Sequence, residues 1–148
     1  MRPRSTYWIG LGANLGDPPR AMAAMLEGLA AAGDRIEAAS SLYRTAPRDL
    51  EDQPPFLNAA ARLSSEADPR ALLARVKDLE SAIGRRPGLR FGPRLIDCDL
   101  LLWSGGAWSD AALVIPHPRL ADRRFALVPL LEIDPDLVLP DGRGLAEC

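Results

Sequence analysis

Two aspartates, Asp97 and Asp99, stand one residue apart in the apolar run L-I-D-C-D-L-L-L-W of residues 95–103. The run alternates as a buried β-strand does, and side chains at i and i+2 of a strand point to the same face. Two carboxylates side by side in a buried strand repel each other and lose hydration. Such a pair is costly unless a cation or a shared proton lies between them, so the spacing predicts a metal site.

Arginines near this run indicate the class of substrate. Of the 18 basic residues, 17 are arginine and one is Lys77. Genomic nucleotide bias best explains that total, and the local clusters carry more meaning. The clusters are Arg85, Arg86, Arg90 and Arg94, followed by Arg119, Arg123 and Arg124. Because the guanidinium fork suits phosphate oxygens, a cation site beside these arginines predicts a phosphorylated substrate held with a divalent metal.

Length and composition predict one globular domain, residues 1–148. The chain has 47% apolar and 26% charged residues, as ordinary soluble proteins do. Its net charge of −2 argues against general nucleic-acid binding. No apolar run approaches the roughly 20 residues of a membrane helix, and the N-terminus lacks a signal-peptide core. Two cysteines give neither a disulfide framework nor metal-ligand spacing. We therefore expect a cytoplasmic protein that acts as a monomer.

Four strands and two helices are predicted around these residues. Asp17-Pro18 and Asp68-Pro69 are helix starts, and Gly33 and Gly84 are the matching stops. The predicted strands are residues 7–11, 35–45, 56–63 and 95–103, with another short strand within 134–142. The order β-α-β-β-α-β matches a ferredoxin-like α+β core with a C-terminal addition.

Connections and isolated polar residues supply further candidates. The turn G-A-N-L-G at 12–16 lacks the pattern of a phosphate loop, so we interpret it as a turn. The proline-rich loop 46–55 has the length of a lid or binding segment. Asn58, within an apolar strand, either serves a site or bonds neighbouring backbone. A lone histidine is usually structural, but His117 lies between two prolines near arginines, which favours anion binding.

Six segments together carry a family resemblance that covers nearly the whole chain. They are G-L-G-A-N-L-G (10–16), S-L-Y-R-T-A-P (41–47), Q-P-P-F-L-N-A (53–59), F-G-P-R-L-I-D-C-D-L-L-L (91–102), I-P-H-P-R-L (115–120) and R-R-F-A-L-V-P-L (123–130). The chain resembles the 6-hydroxymethyl-7,8-dihydropterin pyrophosphokinases of folate biosynthesis. The resemblance implies a three-layered α/β/α sandwich on a ferredoxin-like core, with a mostly antiparallel sheet. It also implies transfer of pyrophosphate from ATP to the pterin hydroxymethyl group, with release of AMP.

The resemblance also assigns roles to residues. Asp97 and Asp99 would hold two magnesium ions that bridge the ATP phosphates. The implied pterin contacts are Thr45, Pro47, Phe56, Asn58 and Phe125. The implied ATP contacts are Leu73, Lys77, Glu80, Arg85, Phe91, Arg94, Leu100, His117 and Arg123. The implied catalytic residues are Asp97, Asp99, Arg94, Arg85 and Arg86.

Some positions depart from the family pattern or allow a plainer interpretation. Phe91 stands where relatives usually have tryptophan, and Ala112 and Val114 stand where relatives often have arginine and threonine. Lys77 and Glu80 are also explained as an ordinary i,i+3 surface pair.

Two other functions fit parts of the pattern. One is a ferredoxin-like binding domain that has lost catalysis, which would have a broken site element. The other is a different two-metal phosphoryl or nucleotidyl transferase, which would have no need of the aromatic residues and Asn58. The sequence keeps all of these elements, which favours the pyrophosphokinase.

Overall fold

The computed structural model describes residues 3–45, 55–84 and 95–148. In chain order its strands and helices are β1 (Ser5–Ala13), α1 (Pro18–Ala31), β2 (Arg35–Ala39), β3 (Tyr43–Thr45), β4 (Phe56–Ser65), α2 (Pro69–Gly84), β5 (Asp97–Trp103), β6 (Trp108–Ser109), β7 (Val114–Ile115) and α3 (Arg124–Ile133). Short 3₁₀ helices lie at Leu120–Asp122, before α3, and at Leu145–Glu147, after it. None of the helices in these described parts is long and apolar enough to cross a membrane.

The main sheet has the order β2-β4-β1-β5, and β3 also pairs with β4. Every pairing among these strands is antiparallel. Because β2 and β3 lie along the same strand, they form one interrupted edge, and the element order is then βαββαβ. This confirms the predicted ferredoxin-like α+β fold.

Helices cover both faces of this sheet. Alternate residues of β1, such as Ile9 and Leu11, pack with Met25 and Leu29 of α1 and Val76 of α2. A second apolar cluster on the opposite face joins the sheet to α3 and the C-terminal segment. It contains Ala60, Leu101, Leu102, Leu120, Ala126, Leu127, Leu130, Leu139 and Leu145. The expected three layers are therefore present, and each sheet face has its own core.

The predicted helix starts are confirmed by their hydrogen bonds. The Asp17 carboxylate accepts from the backbone N–H of Arg20 at 3.3 Å, and the Asp68 carboxylate accepts from that of Ala71 at 2.8 Å. Each acid satisfies a donor that the first turn of a helix leaves unpaired. Gly33 after α1 has φ of +107°, which glycine adopts without a steric penalty.

The prediction of one strand over residues 35–45 is wrong, because the strand is interrupted at 40–42. Ala39 pairs with Ala61 and Tyr43 with Asn58, so this stretch contains one residue more than its partner. The Ser40 hydroxyl accepts from the Ala60 N–H at 2.8 Å and replaces a backbone acceptor there. An extra residue of this kind is a bulge, which bends the edge strand.

The predicted short strand within residues 134–142 is also wrong. Only an isolated bridge, Val138 with Gly144, forms in this part of the described chain. Pro135 and Pro140 flank the stretch and have no N–H to donate to a ladder. The segment instead folds over the second core through Leu139 and Leu145.

Candidate active site

The two aspartates lie side by side on β5, as the sequence predicted. Cys98 and Leu100 face the core formed with α1 and α2, so Asp97 and Asp99 point to the opposite face. The prediction that the pair is buried is wrong. Asp97 is exposed, and the Asp99 side chain is 47% exposed. The reason is tertiary: the core under α3 includes Leu101 and Leu102 but not the start of β5.

Gly12 of β1 lies between Asp97 and Asn58, which is one of the predicted pterin contacts. It pairs with Asn58 of β4 on one side and with Asp97 of β5 on the other. Directly paired residues of antiparallel strands share a face, so Asn58 and Asp97 stand on the same face about 10 Å apart, two strand spacings. A Cβ atom at Gly12 would lie 3.2 Å from Asn58 Oδ1. The glycine therefore lets the Asn58 amide oxygen lie close to β1, where a side chain would crowd it.

Sequence reasoning missed this role of Gly12, which it assigned to a tight turn. The strand continues through Ala13, and the turn falls at Gly16, where φ is +65°. The signal was present in the alternation of Tyr7, Ile9 and Leu11, which extends to Ala13. Residues between these core positions, including Gly10 and Gly12, face the acids.

Three of the predicted pterin contacts lie together at the start of β4. Asn58 is 6% exposed, and its Nδ2 donates to Thr45 Oγ1 at 2.9 Å. Thr45 in turn pairs with Phe56, whose ring is partly exposed. Strand β3 thus fixes the orientation of the Asn58 amide. An amide held in this way suits recognition of a heterocycle edge.

Arg123 connects the acids to the other predicted aromatic contact. Its guanidinium lies 3.8 Å from Asp99 Oδ2 and 5.6 Å from the centre of the Phe125 ring. Phe125, in the first turn of α3, is 43% exposed. A cation over an aromatic face is attracted by it, so the arginine and the ring orient each other beside the carboxylate.

His117 is held rigidly beside β5. Its backbone N–H donates to Leu101 O at 3.0 Å, and its Nδ1 accepts from the Arg119 N–H at 3.2 Å. The neutral ring then has its proton on Nε2, which is a donor. Burial lowers the pKa of His117, and the negative charge of Asp99 opposes that shift. The ring can therefore donate a hydrogen bond to an anion while uncharged.

Of the predicted ATP contacts on α2, Glu80 lies at the edge of β5, where its carboxylate accepts from the Cys98 N–H. Lys77 Nζ is 3.2 Å from Glu80 Oε1, which confirms the i,i+3 pair, but the Glu80 side chain is only 6% exposed. The pair is therefore not the ordinary surface pair of the sequence prediction. Leu73 and Leu100 both pack in the core beneath α2.

Several predicted site residues lie outside the described residues. They are Pro47 in the 46–54 stretch, and Arg85, Arg86, Phe91 and Arg94 in the 85–94 stretch. Their assigned roles remain predictions.

The donor set at the acid pair fits magnesium. Carboxylate oxygens are its preferred protein ligands, and sites that bind phosphates with magnesium use one or two carboxylates. Asp97 and Asp99 share one sheet face, and their partners on β1, Gly12 and Gly10, add no side chain of their own to it. Within residues 3–45, 55–84 and 95–148 no group of three or more potential metal-ligating His, Cys, Asp or Glu side chains occurs. Two carboxylates are therefore the protein ligands available for magnesium here. A phosphorylated ligand would supply further oxygens.

Comparison with known proteins identifies the family of this chain. Residues 8–135 match the family model of 7,8-dihydro-6-hydroxymethylpterin-pyrophosphokinase. A 2-amino-4-hydroxy-6-hydroxymethyldihydropteridine pyrophosphokinase from Methylorubrum extorquens is 46% identical over 133 residues, covering 89% of this chain and 84% of the relative. One from Haemophilus influenzae is 35% identical over 143 residues, covering 96% and 89%. The mitochondrial folate synthesis bifunctional protein of Pisum sativum is 38% identical over 125 residues, covering 84% of this chain and 24% of that protein. The chain belongs to the 7,8-dihydro-6-hydroxymethylpterin-pyrophosphokinase family.

Proposed function

We propose that this protein transfers pyrophosphate from ATP to 6-hydroxymethyl-7,8-dihydropterin. The hydroxymethyl oxygen forms a bond to the β-phosphorus, the bond from that phosphorus to the α–β bridging oxygen breaks, and AMP leaves. The hydroxyl proton is lost in the same reaction. The observation that carries the proposal is the row Asn58–Gly12–Asp97 across three strands. This row places the fixed amide of Asn58 and the carboxylate of Asp97 on one sheet face. Binding a pterin next to a metal-bound phosphate requires such an arrangement.

Asp97 and Asp99 would hold magnesium, two ions in our proposal. Bound there, magnesium would supply positive charge that stabilises the transferred phosphates. The exposure of both carboxylates supports this role, because a bound nucleotide can reach them without a change in the strand.

The phosphates also need groups that orient them for in-line attack. Arg123 and the Nε2–H of His117 border the acid pair and supply donors of the kind that phosphate oxygens accept. Arg85, Arg86 and Arg94 complete this set in our proposal. Leu73, Lys77 and Leu100 contact the rest of the nucleotide.

The pterin lies between Phe56 and Phe125, with Asn58 and Thr45 at its edge. Flat heterocycles bind well between aromatic rings, and fixed donors and acceptors at the edge select among them. The partial exposure of both rings supports this assignment, since each has a face available to a ligand.

The same proposal sets the protein in the cytoplasm, as a monomer that acts on small molecules, with residues 1–148 as one domain. Its globular composition and acidic net charge of −2 support small substrates over nucleic acids.

A product analysis tests the proposed reaction. The protein is incubated with ATP, magnesium and the dihydropterin, and the nucleotides and pterins are separated by chromatography. We expect AMP and a pterin diphosphate in equal amounts, and no reaction with 6-methyl-7,8-dihydropterin, which lacks the hydroxyl group. Formation of ADP or of inorganic pyrophosphate in place of AMP would rule the proposal out.

A further inference from the structure

Strand β5 lies at the edge of the described sheet and pairs with β1 on one side. Two backbone groups of β5 have partners from other elements. The Leu101 carbonyl accepts from His117 N, and the Cys98 N–H donates to the Glu80 carboxylate of α2. Edge strands present unpaired backbone groups, and here side-chain and loop groups take the place of a neighbouring strand.

The bond from Cys98 to Glu80 is short and buried. Glu80 Oε2 accepts from Cys98 N at 2.8 Å, and both residues are less than 9% exposed. The second carboxylate oxygen faces Lys77, whose side chain is 49% exposed at the protein surface. Lys77 thus compensates the charge of the buried acid, which a buried carboxylate requires.

Cys98 stands between the two acids of the candidate site. Its side chain faces the core while those of Asp97 and Asp99 face the opposite side. A hydrogen bond that fixes the Cys98 amide therefore fixes the backbone on which both carboxylates are mounted.

We propose that Glu80 is a positioning residue for the metal-binding carboxylates. Its carboxylate holds the Cys98 N–H, and so sets the direction in which Asp97 and Asp99 present their oxygens. This inference rests on the proposed function, in which those acids bind magnesium. Direct contact with ATP phosphates is a poorer role for Glu80, because a carboxylate repels them.

The test compares Glu80→Ala, which removes the acceptor, with Glu80→Gln, which keeps an oxygen for Cys98 N–H but loses the charge. Asp78→Asn is the matched control, since Asp78 is an exposed acid on the same helix. Two quantities are measured in each protein. One is the hydrogen exchange rate of the Cys98 amide by NMR, without nucleotide. The other is the affinity for Mn²⁺, by electron paramagnetic resonance with α,β-methylene-ATP, in which the bond to be broken is blocked.

We expect Glu80→Ala to accelerate Cys98 amide exchange and to weaken Mn²⁺ binding by about 10- to 100-fold, as loss of a residue that orients metal ligands does. Glu80→Gln should keep the amide protected and Mn²⁺ affinity close to that of the unchanged protein. Asp78→Asn should alter neither quantity.

Two results would overturn the proposal. One is unchanged Mn²⁺ affinity in Glu80→Ala. The other is weakened Mn²⁺ binding in Glu80→Gln while the Cys98 amide stays protected. That result would assign the weaker binding to the lost charge of Glu80 and not to the position of the β5 backbone. The second result remains decisive if Glu80→Ala does not fold. Failure of the proposed function is distinguishable, because then no pterin diphosphate forms although the Mn²⁺ and exchange measurements behave as expected.

Discussion

The acids of the candidate site are held by neighbours that differ in kind. Asp99 has the Arg123 guanidinium 3.8 Å away, and Asp97 lies directly across the sheet from Gly12. Replacement of Asp99 would therefore break the ion pair with Arg123 and also remove a proposed metal ligand. Replacement of Asp97 leaves that ion pair in place, so it is the variant used to test metal binding.

Asp97→Asn should lower turnover by about a thousandfold or more, because metal ions supply several kcal/mol of charge stabilisation and each 1.4 kcal/mol is a factor of ten. The metal-free stability should stay within about 0.5 kcal/mol or rise slightly, since one of two repelling charges is removed at an exposed position. Turnover and urea unfolding in EDTA check both statements, with Asp78→Asn as the control. An unfolded variant would instead indicate a structural role for Asp97.

Phe125→Ala should weaken dihydropterin binding by about 2- to 12-fold, because an aromatic contact contributes about 0.5–1.5 kcal/mol beyond area burial. The ring is 43% exposed, so the fold should change little. Fluorescence titration with the pterin measures the affinity. Val128→Ala is the control, since Val128 is 44% exposed on the same helix. Equal pterin affinity in Phe125→Ala and the unchanged protein would remove Phe125 from the site.

Helices and strands differ in how far the sequence predicted them. Both long helices were predicted because Asp17 and Asp68 act locally, within three residues of their partners. The interruption of the edge strand was not, because the extra residue shows only in the pairing register with β4. At this interruption Ser41 also bonds Glu132 from 91 residues away. The exposure of Asp97 was missed for a similar reason. It depends on how far the core under α3 extends along β5, and strand periodicity carries no such information.

Glu132 also links β3 to α3. The Tyr43 hydroxyl donates to its carboxylate, and so do the N–H and hydroxyl of Ser41. The bond from Tyr43, followed by those from Ser41, lowers the pKa of Glu132 below its ordinary value of 4.5. The unfolded chain therefore binds more protons just below pH 4.5, and stability decreases as pH falls through the lowered pKa.

Glu132→Gln should be less stable than the unchanged protein at pH 7, and the difference should shrink as pH falls below 4.5. Urea unfolding midpoints at neutral and acidic pH measure this dependence. Tyr43→Phe removes the largest cause of the pKa shift but keeps the Ser41 bonds, so its pH dependence should be intermediate. A difference that is the same at all pH values would contradict the assigned linkage.

The whole fold places two half-sites on one sheet face. One half, at the β3–β4 end, contains Thr45 and Asn58; the other, at the start of β5, contains the acids. Strand β1 lies between them and contributes Gly12, where a Cβ atom would crowd the Asn58 amide oxygen. The sequence predicted the members of each half from their types and from family resemblance. It could not predict their shared face, because that depends on the register of three strands distant in the chain.

The position of the attacked phosphorus tests the central claim most directly. The protein is given magnesium, the dihydropterin and ATP labelled with ³²P at either the α or the β phosphorus. We expect the β label to appear in the pterin product and the α label to remain in AMP, with the β-label transfer and the release of AMP both lost in Asp97→Asn. Transfer of the α label to the pterin, or unchanged β-label transfer in Asp97→Asn, would contradict pyrophosphoryl transfer at this carboxylate pair.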